Sequence, residues 1–151
     1  MLDKIKESFT KFSDRNAFYF QNKYYTYSDL AQRVSNIRSV LNSTVQPDEK
    51  VIGLLIKNNI ETYSGILGIQ FAGYGYVPIN PENPVERNRE VINQAEIKTI
   101  ITGVVDDEIK HICENLDIKI VAVSTLENVP INLELPDVGD DSLAYIFFTS
   151  G

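Results

Sequence analysis

The sequence predicts an α/β fold: a mostly parallel sheet flanked by helices in βαβ units, with a small β-hairpin near the start of the chain. Three observations carry that expectation. From residue 51 onward, apolar strand-like runs alternate with helical patterns of about ten to fifteen residues, the rhythm of right-handed crossovers onto a parallel sheet. The run "VIGLLI", Val51 to Ile56, is continuously aliphatic, as a strand buried on both faces requires. "AFYFQNKYYTY" reads instead as two short aromatic strands around Gln21-Asn22-Lys23, where Asn tolerates the left-handed backbone of a tight turn.

Taken in order, residues 2–12 place Leu2, Ile5, Phe9 and Phe12 at helical spacing and predict a short amphipathic helix before the hairpin. "TYSDLAQRVSNIRSVLN" predicts the clearest helix. Thr26 or Ser28 can cap it, Asp29 favours its positive end, and Leu30, Val34, Ile37 and Leu41 share one face. "QPDEK" turns the chain into the strand at Val51. The helix "NNIETYSGILGIQFAG" follows, with Ile60, Tyr63, Leu67 and Phe71 on one side and Ser64, Gly65, Gly68 and Ala72 small enough for close packing on a sheet. "YGYVPIN" is the next strand, and Pro84 suits the first turn of a helix over "PVERNREVINQAE". Strand "KTIITG", helix "DDEIKHICENL" and strand "IKIVAVS" complete the alternation. Residues 126–140 lack periodicity and carry prolines, so they read as a loop, and "SLAYIFF" reads as a final strand.

Composition narrows the function. The 151 residues are 43% hydrophobic and 10% aromatic, enough for one well-buried core, and the 23% charged fraction excludes wholesale disorder. Fourteen basic against twenty-one acidic side chains give a net charge of -7, which argues against a nucleic-acid platform. Any phosphate must then be held by local backbone N–H groups. The single His111 and single Cys113 can form neither an internal disulfide nor a zinc site, so they read as ordinary helix residues and no metal ligands are assigned. "MLDKIKESFTKF" has no continuous apolar core and so is no signal peptide, and "VIGLLI" is too short to cross a bilayer. The chain is expected to be cytoplasmic, with no membrane or nucleic-acid partner.

Chemistry concentrates in "LAYIFFTSG", Leu143 to Gly151. Thr149, Ser150 and Gly151 directly after a strand present two hydroxyls, exposed amides and a glycine that lets backbone approach a phosphate. Alone, such a tripeptide is also an ordinary turn. There is no Walker-type string and no Gly-x-Gly-x-x-Gly, since "GILGIQFAG" lies within a helical pattern.

Three separated motifs resemble those of adenylate-forming enzymes. "YTYSDL" is similar to their early Leu-(Thr/Ser)-Tyr-x-Glu-Leu signature, with Tyr25 for the Leu and Asp29 for the Glu. "FAGYGYVPINPENPVER" resembles their (Lys/Arg)-Ala-Gly-x-Ala-Tyr-Val-Pro segment and its Pro-x-x-Arg ending, with Phe71, Gly75 and Asn80 in place of a basic residue, Ala and Asp. "LAYIFFTSG" resembles the strand entering their Thr-Ser-Gly-rich phosphate loop. Order and spacing match from about residue 12 onward. The version here is most similar to amino-acid adenylation domains of nonribosomal peptide synthetases and to D-alanine–carrier-protein ligases.

The resemblance implies an enzyme that uses ATP and Mg2+ to activate a small carboxylic acid or amino acid as an acyl-adenylate. The acyl group then passes to the phosphopantetheine thiol of a carrier protein. It implies that residues 1–151 are the N-terminal part of the large adenylation domain, ending inside the phosphate loop, with Thr149, Ser150 and Gly151 binding phosphate and no catalytic residue in this stretch. The chain alone is accordingly expected to be inactive, and a sheet ended there would leave an open edge prone to self-association. An acyl- or aryl-CoA ligase is the alternative within this class. A non-catalytic α/β interaction module is the alternative outside it.

Overall fold

The computed structural model describes residues 1–139 and 142–149. Its elements are α1 (Leu2–Lys11), β1 (Asn16–Phe20), β2 (Lys23–Thr26), α2 (Tyr27–Thr44), β3 (Val51–Leu55), α3 (Ile60–Phe71), β4 (Gly75–Ile79), α4 (Val85–Gln94), β5 (Thr99–Thr102), α5 (Asp107–Cys113) and β6 (Lys119–Ala122). β1 and β2 form the expected antiparallel hairpin, turning at Gln21 (φ 49°) and Asn22 (φ 61°), both left-handed. The other four strands form one parallel sheet in the order β4-β3-β5-β6.

β3 explains why its sequence lacks alternation: all five residues are buried, and they point to two different cores. Val51 and Leu55 pack with Val91 and Ile92 of α4 and Ile109 and Ile112 of α5 on one face. Ile52 and Leu54 pack with Ile37 and Leu41 of α2 and Ile69 of α3 on the other. A third cluster joins α1 to the body, with Phe9 against Leu30, Ala31, Val34, Ile60 and Phe71. Tyr63, read from spacing as part of the buried side of α3, is 39% exposed and lies against the hairpin rings of Phe18 and Phe20. Among the described residues no helix is long and apolar enough to cross a membrane.

Local signals position the helices. Thr26 begins α2 with a reciprocal capping box: its Oγ1 accepts from Asp29 N at 3.1 Å, and its own N–H donates to Asp29 Oδ2 at 2.9 Å. Of the two glycines among the four small residues expected to pack on the sheet, Gly65 does so, since a Cβ there would lie 2.6 Å from Leu54 Cδ1. Gly68 faces α2, where a Cβ would lie 2.6 Å from Ile37 Cβ. Pro84 stands one position outside α4 as its N-cap, with ψ 142°.

Two segments depart from the sequence reading. Residues 126–139 are irregular, as expected, but they are strapped onto α2. Asn36 Oδ1 accepts from Val129 N (3.1 Å), Asn36 Nδ2 donates to Asn128 Oδ1 (3.0 Å), and Asn132 N donates to Ser35 Oγ (2.9 Å). Asn36 is 8% exposed, so Asn36→Ala leaves its partners unsatisfied, and the expected loss is about 1–3 kcal/mol. Thermal unfolding reads that loss, and limited proteolysis should cut first within 126–139.

The second departure is "SLAYIFF", which does not form a strand. It makes a single parallel bridge, Tyr145 with Tyr76: Tyr76 N donates to Ala144 O (3.1 Å) and Ile146 N to Tyr76 O (3.0 Å). The reason lies on β4. Gly75 and Ile79 bond toward β3, so Tyr76 and Pro78 face the outer edge. Pro78 has no N–H, and the ladder stops where its donor would be needed.

Candidate functional site

A parallel sheet binds ligands beyond the carboxyl ends of its strands, at the point where successive connections leave in opposite directions. Here that point lies between β3, which leads through α3 to β4, and β5, which leads through α5 to β6. Each exit is capped by its own side chain. Asn59 Oδ1 accepts from Thr62 N (3.0 Å) at the start of α3, and Asp106 Oδ1 from Ile109 N (3.1 Å) at the start of α5. Lys57 ties the two exits together, its ammonium 2.7 Å from Glu108 Oε2 and 3.0 Å from Asp106 Oδ2. Glu108 and then Asp106 raise the Lys57 pKa, while the Ile109 N–H and then Lys57 hold the Asp106 carboxyl below its ordinary value.

Beside this ion cluster a cavity of about 690 Å³ opens over the ends of β3 and β4. Ile66, Tyr76, Pro78 and Phe147 line its apolar part, and Lys57, Glu82 and Glu108 stand among its polar residues. Burial, and then Tyr145, push the Tyr76 phenol upward, so it stays neutral. With its one ammonium already held by two carboxylates, the cavity suits an apolar or aromatic body better than a phosphate.

The segment read from the sequence as a phosphate loop follows Phe147, which lines this cavity. Thr149 is exposed and its carbonyl accepts from Arg87 Nη2 at 3.1 Å. Ser150 and Gly151, the other two loop residues singled out from the sequence, lie outside the described residues. Arg87 also approaches Glu90 Oε2 at 3.3 Å, within its own helix. The Thr149 contact joins residues 62 positions apart, and helical spacing gives no signal of it.

Two of the three motifs therefore meet. "FAGYGYVPINPENPVER" touches "LAYIFFTSG" twice, at Tyr76–Tyr145 and at Arg87–Thr149. "YTYSDL" stays apart: Thr26 and Asp29 cap α2, and Tyr25 lines a separate polar crevice with Arg33 and Glu61. The three departures in the second motif have structural explanations. Phe71 is fully buried against Phe9. A Cβ on Gly75 would lie 2.9 Å from the Leu143 carbonyl oxygen, so glycine lets the last segment approach. Asn80 retains the acceptor an aspartate would offer, taking the Glu82 N–H at 3.0 Å, and its carbonyl holds the buried Asn88 amide at 2.8 Å.

Cys113 and His111 stay outside this site. Burial pushes the Cys113 thiol up, away from thiolate reactivity, and exposed His111 faces Glu114.

Comparison with known proteins gives a consistent family. The protein-family model described as AMP-binding enzyme matches residues 5–151. Gramicidin S synthase 2 of Brevibacillus brevis is 33% identical over 154 residues, covering 97% of this chain and 3% of the relative. Nonribosomal peptide synthetase SIDC of Beauveria bassiana is 27% identical over 158 residues, covering 97% of this chain and 3% of the relative. Among solved structures, the Klebsiella oxytoca NpsA N-terminal subdomain in complex with 3-hydroxybenzoyl-AMSN matches with a TM-score of 0.81 at 25% identity, covering 100% of this chain and 38% of that one. The chain spans about 3% of the length of these two curated relatives.

Proposed function

This chain belongs to the AMP-binding enzyme family, and on that premise we propose that residues 1–151 form the N-terminal part of the large domain of an amino-acid-activating adenylation enzyme. In the proposed reaction a carboxylate oxygen of the substrate attacks the α-phosphorus of ATP. An acyl–O–P bond forms, the bond to pyrophosphate breaks, and pyrophosphate leaves. The sulfur of a carrier protein's phosphopantetheine then attacks the acyl carbon, and AMP departs. Thr149, Ser150 and Gly151 are assigned to the β- and γ-phosphates through hydroxyls and amides.

The single observation that most supports this reading is the contact between the second and third motifs at the carboxyl edge of the sheet, where Arg87 meets the Thr149 carbonyl. A strand-to-loop junction held by an adjacent helix start is a suitable place for backbone amides that serve phosphate. Among the described residues no group of three or more His, Cys, Asp or Glu could hold a metal ion. Mg2+ is proposed to arrive with the nucleotide. Residues 1–151 by themselves are proposed not to adenylate.

The test is exchange of labelled pyrophosphate into ATP by the full-length protein, stimulated by an amino acid. Subsequent loading of that amino acid onto a carrier protein, and not onto free coenzyme A, is expected; loading of coenzyme A alone would move the enzyme to the acyl-CoA ligases.

A further inference from the structure

We propose that Arg87 is a positioning residue for the phosphate loop, acting through the carbonyl of Thr149. This rests on the phosphate-binding reading above and adds to it the residue that sets the loop's geometry.

Backbone pairing carries the last segment only a short way. The bridge at Tyr76 secures Ala144 and Ile146, and Pro78 then withholds the next donor. Past Ile146 the backbone bridge is not continued: Phe147 is 62% exposed, while Phe148 packs with Ile146 on the core cluster under α4 and α5. The next hydrogen bond recorded for the segment is the one from Arg87 Nη2 to Thr149 O, at 3.1 Å. Apolar packing of Ile146 and Phe148 anchors the segment, and two polar contacts set its path: the backbone bridge and the side-chain clamp.

The clamp is itself supported. Arg87 lies in the first turn of α4, and its neighbour Asn88 is 1% exposed and donates to Asn80 O at 2.8 Å, which ties that turn to the exit of β4. The second arm of the guanidinium faces Glu90 Oε2 at 3.3 Å. A planar guanidinium can serve two acceptors in fixed directions, which an ammonium does less well.

The consequence for phosphate follows from peptide geometry. A trans peptide unit carries its N–H opposite its C=O. A unit held by its carbonyl on one side therefore presents its N–H toward the opposite side, where a phosphate oxygen is proposed to be met. A cation on the carbonyl also polarises the unit and strengthens that amide as a donor. In a chain of net charge -7, this would deliver positive potential to phosphate through the backbone.

The experiment is steady-state pyrophosphate exchange by the full-length protein with ATP varied. Arg87→Ala is expected to raise the KM for ATP by about tenfold, with a smaller change in kcat. Arg87→Lys should restore part of the loss, and Glu90→Gln should leave KM within about twofold. A purely structural role would instead lower the melting temperature and the active fraction at unchanged KM. Hydrogen exchange over residues 143–149 gives a readout that needs no activity: Arg87→Ala should speed it there and leave β3 and β5 unaltered. An unchanged KM for ATP in Arg87→Ala, or unchanged exchange in 143–149, overturns the proposal. A wild-type protein without pyrophosphate exchange overturns the functional reading instead and removes the phosphate role of Arg87 with it. The hydrogen-exchange result then still reports whether the clamp exists.

Discussion

Replacing Phe71 by lysine is expected to unfold the chain at a denaturant concentration far below that of the wild type. Adenylate-forming enzymes carry a basic residue at the matching point of the motif, so the change is toward the family pattern, yet here it should be damaging. Phe71 is fully buried at the end of α3, its ring 6.2 Å from that of Phe9. Leu30, Ala31, Val34 and Ile60 complete an apolar cluster around it. Removing a buried phenylalanine side chain costs about 3–5 kcal/mol. Burial would also force the lysine toward its neutral form or drag α1 away to let it reach water. Against a total stability of about 5–15 kcal/mol, the loss should be visible as a large drop in the urea midpoint. Phe71→Leu keeps an apolar occupant and should lose much less. A Phe71→Lys midpoint equal to the wild type's would show that α1 does not close this cluster in solution.

The second large effect is expected in catalysis. Thr149→Ala and Ser150→Ala, each in the full-length protein, should lower the kcat of pyrophosphate exchange by about a hundredfold or more, the usual consequence of removing one preorganised donor from a site where charge develops. Thr149 is exposed, and the hydrogen bond it makes with Arg87 uses its backbone carbonyl. Its substitution should therefore leave the melting temperature unchanged, which separates a lost contact to phosphate from a lost fold. Exchange rates within twofold of wild type for both variants would remove these residues from the phosphate site.

Much of the fold was legible because its signals are local. The buried β3 run, the Gln21-Asn22 turn and the Thr26–Asp29 cap each depend on residues within a few positions of one another. The misreadings involve partners distant in the chain. "SLAYIFF" has the composition of a strand, but whether it pairs is decided by Pro78, more than sixty positions earlier, on the edge it must join. Gly68 looks like a sheet-packing residue until α2 is placed beside it. Ser35 and Asn36 on α2 drew no expectation from the sequence, and their burial beneath the 128–132 strap likewise depends on residues distant in the chain. For the site, Thr149 is singled out only with the help of the two other motifs, since the tripeptide alone also reads as an ordinary turn. Arg87 could not be connected to it, because helical spacing accounts for Arg87 through Glu90 and gives no hint of a carbonyl 62 residues away.

The most direct measurement of the central claim is amino-acid-dependent exchange of pyrophosphate into ATP, run side by side on the full-length protein and on residues 1–151. The expected result is exchange by the full-length protein with one amino acid or a small related set, and none by the 151-residue chain. Failure of every amino acid and other small carboxylic acid to stimulate exchange in the full-length protein, or robust exchange by residues 1–151 alone, would contradict it.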